Sequence, residues 1–223
     1  MIVHVIDTET TGLPHTPNAH VIEVGIATIE VGRGIVGFWT SMVNPPCLGS
    51  AEAEIAQKIN GITPDQILSA PRFDQVWMEL LAYARDYGEG ATWTAWNLPF
   101  DRCMIRRTFL GVEDYVQICE KLGAPEDLLR HSKHGWPERF DLDEDPLRWT
   151  ECAMRAYSRR VRTKGHTRSW YTRELEPNSW SLVEAAKREM VEFTGDAHRA
   201  LTDAVVAAKI YSKLLHGEVS DGA

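Results

Sequence analysis

Asp7 and Glu9 stand one residue apart at the end of a short apolar run, Ile2 to Ile6. Side chains two apart on an extended chain share a face, so these two carboxylates can converge on one point. Held roughly 4 Å apart, two such charges repel by about 4 kcal/mol at an effective dielectric near 20, a cost that a cation between them removes. More acids of the same kind lie far along the chain. Asp101 closes the run Asn97-Leu98-Pro99-Phe100-Asp101, and Asp203 closes His198-Arg199-Ala200-Leu201-Thr202-Asp203. Singly, each is an ordinary surface acid. As a set they offer four carboxylates and an imidazole. Carboxylates are the hard oxygen donors that Mg²⁺ or Mn²⁺ take, with no Cys or His ligand required. Two such ions stabilise the charge that develops in phosphodiester hydrolysis, and a histidine near neutral pH can take the proton of the attacking water.

The elements that must bring these residues together are legible from pattern. Ile2 to Ile6 predicts a first strand, with β-branched residues and neither Gly nor Pro. Val21 to Val31 and Ile35 to Val43, joined by Gly32-Arg33-Gly34, predict two more strands in an antiparallel arrangement. Ala51 to Ile59 predicts a short helix stopped by Asn60-Gly61, and Pro71 to Tyr87 a longer one carrying Phe73, Val76, Trp77, Leu80, Leu81 and Ala84 at helical spacing. A fourth strand is expected over Thr92 to Trp96, followed by the Asp101 turn and a helix to about Leu110. Further helices are expected around Tyr115 to Leu122 and from Glu151 to Val161. Ser179 is expected to cap a helix running to about Glu192, and Asp196 to cap Ala197 to Leu215. In that last helix Ala200, Ala204, Ala207 and Ala208 form a small-residue face that lets the backbone approach a sheet. Strands first, then strands alternating with helices, predict an α/β fold: a mixed sheet of about five strands with helices on both faces, with a short strand or turn near Leu147 to Trp149.

At 223 residues the chain is long enough for one large domain with a sizeable core. We expect that domain over residues 1–216, with inserted segments at about 111–145 and 162–178, and a disordered polar tail over 217–223. No apolar run approaches the roughly 20 residues of a membrane helix, so no membrane partner is expected. The apolar start is too short, and lacks the basic flank, for a signal peptide. The four cysteines include no Cys-x-x-Cys pair, which fits a cytoplasmic location. A net charge of −8 argues against a polyanionic partner, but acids that hold cations are neutralised in the working protein.

The runs Asp7-Thr-Glu-Thr-Thr-Gly12, Asn97 to Asp101 and His198 to Asp203, in that order, together with Ile22 to Gly25 and Ile59 to Thr63, resemble the DEDD superfamily of 3′→5′ exonucleases. The branch is DEDDh, typified by proofreading subunits of replicative polymerases. The resemblance implies a ribonuclease H-like fold and two Mg²⁺ or Mn²⁺ ions. Asp7 would bridge both, Glu9 and Asp203 would hold the ion bearing the attacking water, and Asp101 would serve the other through water. His198 would be the general base. A sibling branch has Tyr at the position of Arg199, which places this chain in the His branch. The substrate implied is nucleic acid with a free 3′ end, single-stranded DNA favoured over RNA, with a DNA polymerase or other replication protein as partner. Thr10, Thr11, Gly12 and Leu13 would meet the last nucleotide, Leu13 against its base, while Asn97 and Phe100 shape the cleft.

Because five residues on an ideal helix separate side chains by roughly 140°, His198 and Asp203 can converge only if His198 lies in the entry turn, off the regular helix. Glu23, on a buried strand, is a candidate support for the site or simply a satisfied strand-end acid. Between Glu151 and Glu174 no acid occurs while arginines accumulate with Trp170 and Tyr171, a pattern that suits either the phosphates of a single strand or a solvated basic surface. Cys119, His131, His134 and Cys152 match no common zinc spacing. An RNA-trimming nuclease, and a non-catalytic polymerase-accessory module, are the alternative readings. The first turns on a sugar 2′-OH contact, and the full set of acids with His198 speaks against the second.

Overall fold

The computed structural model describes residues 1–14, 16, 18–88, 90–110, 147–162, 165–168, 175–177, 179–195 and 198–219. The expected insertion at 111–145 with its helix lies outside these residues. So do Cys119, His131, His134, Lys164, Trp170, Tyr171, Arg173 and the expected cap Asp196.

Strand β1 (Ile2–Thr10) pairs antiparallel with β2 (Val21–Glu30), which pairs antiparallel with β3 (Gly34–Met42). On the other side β1 pairs parallel with β4 (Thr92–Ala95), giving a mixed sheet in the order β3-β2-β1-β4. Among the described residues the sheet therefore has four strands rather than about five. The stretch near Leu147 to Trp149, expected as a short strand or turn, contributes a single parallel bridge, Trp149 to Trp93.

Helices cover both faces. On one lie α3 (Phe73–Arg85) and α4 (Leu98–Leu110), burying Phe73, Val76, Trp77, Leu80 and Met104 against Ile6, Val24 and Ile26. On the other lie α5 (Ala153–Arg160), α6 (Leu182–Arg188) and α7 (Ala200–Leu215), burying Tyr157, Ala204, Ala207, Ala208 and Ile210 against Val3, Val5, Ala27 and Ile29. The two-residue alternation of β1 thus sends Val3 and Val5 to the α7 face and Ile6 to the α3–α4 face. Helices α1 (Ser50–Asn60) and α2 (Pro64–Ser69) close a smaller core around Ile22, Ile62 and Ile67. A short hairpin, β5 (His166–Arg168) with β6 (Leu175–Pro177), stands apart from the main sheet.

Local signals decide several boundaries. Helix α6 begins at Ser181, not Ser179: the Ser181 hydroxyl accepts from the Glu184 backbone N–H while the Glu184 carboxylate accepts from the Ser181 N–H, a capping box in register. Gly61 ends α1 in the left-handed conformation at φ 71°. Past α7, Val219 is fully buried in the α7-side core, so chain expected to be a loose tail from Gly217 packs at least that far.

His4 sits in the middle of this scaffold, fully buried, its Nδ1 2.9 Å from the Thr28 hydroxyl and its ring 4.5 Å from that of Trp93. Among the described residues its Nε2 has no hydrogen-bond partner, and burial lowers its pKa to about 4. A histidine neutral in the fold but titrating near 6.5 when unfolded adds stability that is complete above pH 6.5 and is lost progressively down to about pH 4. The shift corresponds to about 3 kcal/mol. We expect His4→Gln to be destabilised at pH 7 but to lose less further stability than the wild type between pH 7 and pH 5. Urea midpoints of the two proteins at both pH values check this.

Candidate active site

The alternation that builds the core also builds the site. Asp7 and Glu9 continue the Val3–Val5 side of β1 and so face α7, while Thr8 faces α4. A register shift between Glu9 and Thr10 then releases the chain from β2 into the following turn. Thr8 anchors the opposite acid: its backbone N–H and its hydroxyl both donate to Asp101 Oδ1, at 3.0 and 2.9 Å. Asp101 was expected in the turn before a helix. It lies instead in the first turn of α4, its N–H bonded to the Asn97 carbonyl at 3.3 Å, and is buried.

Helix α7 delivers the remaining groups. Its first residues cross β2 at Gly25, where an added Cβ would lie 2.3 Å from the Ala200 carbonyl carbon and the Leu201 nitrogen. Only glycine permits that approach. Glu23, buried on the same face of β2, accepts from Arg199 Nε at 3.1 Å, from Arg199 Nη2 at 2.6 Å and from the Ala200 N–H at 3.0 Å. That fork fastens the start of α7 beside Glu9, which pairs with Glu23 in the strand register. His198 precedes the helix in the left-handed region at φ 62°, off the helical path as the spacing requires, and Arg199 occupies the N-cap position. Ligand atoms of Glu9, His198 and Asp203 consequently lie within 4.8 Å of one another.

The electrostatics are those of acids forced together. Burial pushes the Asp7 carboxyl well above its usual range, and Asp101, Asp203, Glu9 and Glu23 push it further. Burial raises Glu9 to about 7, opposed by the Asn60 amide, whose Nδ2 donates to Glu9 Oε2 at 3.3 Å. Asp101 also rises to about 7 through burial, held back by the two Thr8 hydrogen bonds. Burial raises Asp203, with the His198 imidazole pulling the other way, and its buried Oδ1 has no hydrogen-bond partner among the described residues.

Of the expected substrate-side residues, Thr10 is half-buried and its hydroxyl donates to the Gly12 carbonyl at 2.8 Å, tightening the turn. The Thr11 side chain is buried and accepts from the His20 N–H at 3.0 Å, so it braces the turn from inside. Gly12 lies against Thr16, Leu13 is 54% exposed beyond it, and Asn97 and Phe100 are half-buried, Phe100 packing on the α3–α4 core. Thr8, Asn60, Gly25 and Arg199 are supporting residues that sequence reasoning did not assign. Asn60 falls in a run that carries the family resemblance and ends a helix, but neither feature assigns it to Glu9. The others act through contacts between segments too far apart in sequence for local pattern to reveal.

An α/β sheet of this order, with acids gathered at the end of its first strand, is the fold of the ribonuclease H-like DEDDh exonucleases. The nuclease domain of 3′hExo, a DEDDh family member solved with rAMP, superposes with a TM-score of 0.60 at 15% identity, covering 98% of this chain and 93% of that one. Exonuclease I of E. coli, solved with a dA16 oligonucleotide, gives 0.59 at 17% identity over 98% of this chain and 41% of that one. Residues 4–131, more than half of the chain, match the RNase_T exonuclease family, and the chain belongs to it. A DNA polymerase III subunit epsilon-like protein of Rhodobacter capsulatus is 33% identical over 104 residues, which are 46% of this chain and only 14% of that protein.

Carboxyl groups with raised pKa take protons that a divalent cation displaces. In metal-free protein Glu9 and Asp101 hold protons that their unfolded counterparts lose near pH 4, so their contribution to stability falls as pH rises from about 4 to about 7. We expect Mg²⁺ or Mn²⁺ to raise the melting temperature by several degrees at pH 8 and hardly at all at pH 5. Thermal melts with the metal and with a chelator at both pH values test it.

Proposed function

We propose that the protein is a metal-dependent 3′→5′ exonuclease that removes nucleoside 5′-monophosphates from nucleic acid, with single-stranded DNA as the favoured substrate. The observation that carries this reading is the convergence of Glu9, His198 and Asp203 within 4.8 Å beside Asp7, whose carboxyl group feels all the surrounding acids. The donor set fits a pair of Mg²⁺ or Mn²⁺ ions. It consists of hard carboxylate oxygens whose mutual repulsion a cation relieves, and it includes a buried Asp203 oxygen with no hydrogen-bond donor among the described residues. Asp7, Glu9, Asp101 and Asp203 would hold the ions. When bound, they supply electrostatic stabilisation of the phosphoryl group and the leaving oxygen.

The chain's own residues have distinct tasks in this scheme. His198 accepts the proton of the attacking water at a ring nitrogen, and its left-handed backbone keeps the imidazole near Asp203. Thr8 and Asn60 aim Asp101 and Glu9 through the hydrogen bonds described above. Leu13, exposed on the turn that follows the acids, offers an apolar surface to the terminal base, a contact indifferent to base identity. The epsilon-like relative supports the further reading that the chain works beside a DNA polymerase. Among the described residues no helix is long and apolar enough to cross a membrane.

Single-stranded DNA and RNA labelled at either end, incubated with Mg²⁺, with Mn²⁺ and with a chelator, test the proposal. Metal-dependent laddering from the 3′ end, faster on DNA, is the expected result. No cleavage of either polymer, or cleavage that survives chelation, overturns it. We expect His198→Ala to lower kcat by about 10²–10⁴ while leaving the metal-induced thermal shift in place.

A further inference from the structure

Residues 11–20 join β1 to β2 directly after the Asp7–Glu9 pair and carry Leu13, the residue offered above to the terminal base. Most hydrogen bonds in this loop stay inside it. The Thr11 N–H donates to the His20 carbonyl at 2.9 Å and closes the base of the loop. The Leu13 N–H donates to the Thr16 hydroxyl at 3.2 Å, and the Thr16 N–H returns to the Leu13 carbonyl at 2.8 Å. Bonds of this kind keep a loop in shape but leave it free to swing about its base. Leu13 itself, with more than half its surface exposed, does not hold the loop by packing.

A side chain 93 positions away supplies the tie to the rest of the fold: Arg107, half-buried on α4, donates from Nη1 to the Pro14 carbonyl at 2.6 Å. A charged donor makes this bond stronger than a neutral one. Its acceptor belongs to the residue directly after Leu13. The Pro14 ring fixes its own φ and restricts the residue before it, so a hold on that carbonyl passes to Leu13 with little slack. Thr108, next on the same helix, accepts from the Val21 N–H at 2.9 Å, where the chain enters β2. Helix α4 thus grips the loop at its outer turn and at its exit. The same helix carries Asp101 in its first turn, six residues before Arg107, or about 9 Å along the axis at 1.5 Å per residue. One rigid element therefore relates the place of Leu13 to that of the acids.

We propose that Arg107 is a positioning residue for the terminal nucleobase: by holding the Pro14 carbonyl it keeps Leu13 where the base of the last nucleotide lies. The proposal rests on the nuclease reading above and adds to it a residue that belongs to neither the acid cluster nor the substrate contacts. A turn ordered before the strand arrives needs no ordering on binding. Loss of the tie weakens the hold on the base and spares the chemical step.

The test follows release of the last nucleotide, with Mg²⁺, from a twelve-nucleotide oligothymidylate and from the same strand ending in an abasic nucleotide. Arg107→Met keeps the length and apolar stem of the side chain and removes its donors. We expect it to raise KM for the normal end about tenfold with kcat within about twofold of the wild type. On the abasic end, which offers Leu13 no base, the two proteins should match. Arg107→Lys, still a cationic donor, should recover most of the loss. Leu13→Ala should raise KM alike, and adding R107M to L13A should raise it no further, because both remove one interaction. Melting temperatures show whether each variant is folded in the assay, and R107A replaces R107M if that variant is not. An unchanged KM in R107M overturns the proposal, as does an equal rise on the abasic end or a fall in kcat at constant KM. Equal KM of the wild type for the two ends also overturns it, since Leu13 then reads no base. If the wild type cleaves neither strand, the nuclease reading fails instead, and the affinities of wild type and R107M for the two strands in chelator still decide the role of Arg107.

Discussion

Helix α7 can touch β2 at residue 25 because nothing projects there. An alanine at that position would drive its methyl carbon to 2.3 Å from the helix backbone, well inside contact distance. Much of the site follows from that approach. It brings the Ala200 N–H and the Arg199 guanidinium onto Glu23, fixes the start of the helix, and thereby settles where Asp203 and His198 stand relative to Glu9. The small face of α7 extends the same contact down the sheet through Ala204, Ala207 and Ala208, so the site and the core share one packing arrangement. A displacement of the helix by the width of a methyl group would be felt at both.

The second constraint is the repulsion among the acids. The structure spends packing and hydrogen bonds to keep carboxyl groups close: Thr8 on Asp101, Asn60 on Glu9, Arg199 on Glu23. Each donor lowers the local cost without occupying the space between the acids. Arg199 pairs with Glu23, beside Glu9 in the strand register, while Asp7, Glu9, Asp101 and Asp203 still repel one another. That repulsion is what a cation in the proposed site would offset. Stability and function pull against each other here, and the burial of Ile6, Val24 and their neighbours on the α3–α4 side is available to absorb the difference.

Much of this was legible in the residues. The β-branched start of β1 and the two-residue spacing of Asp7 and Glu9 gave strand and shared face. The alanines of α7 gave its close approach, and the angular mismatch between His198 and Asp203 required an irregular entry, which the backbone supplies at φ 62°. What escaped has a common cause. Thr8 and Asp101 are 93 positions apart, Asn60 and Glu9 are 51, and Arg199 and Glu23 are 176, so no local pattern announces these pairs. Among the described residues Leu147 to Trp149 add only one bridge to the sheet, and whether a short apolar run makes a ladder or a single bridge depends on its tertiary neighbours rather than on its own residues.

His198 carries a side chain through a backbone conformation that glycine or asparagine would adopt more comfortably. Replacement by either would relieve strain of roughly 1 kcal/mol or more while removing the imidazole. Directed evolution scored on heat tolerance alone would therefore tend to discard this histidine, and with it the base of the proposed chemistry.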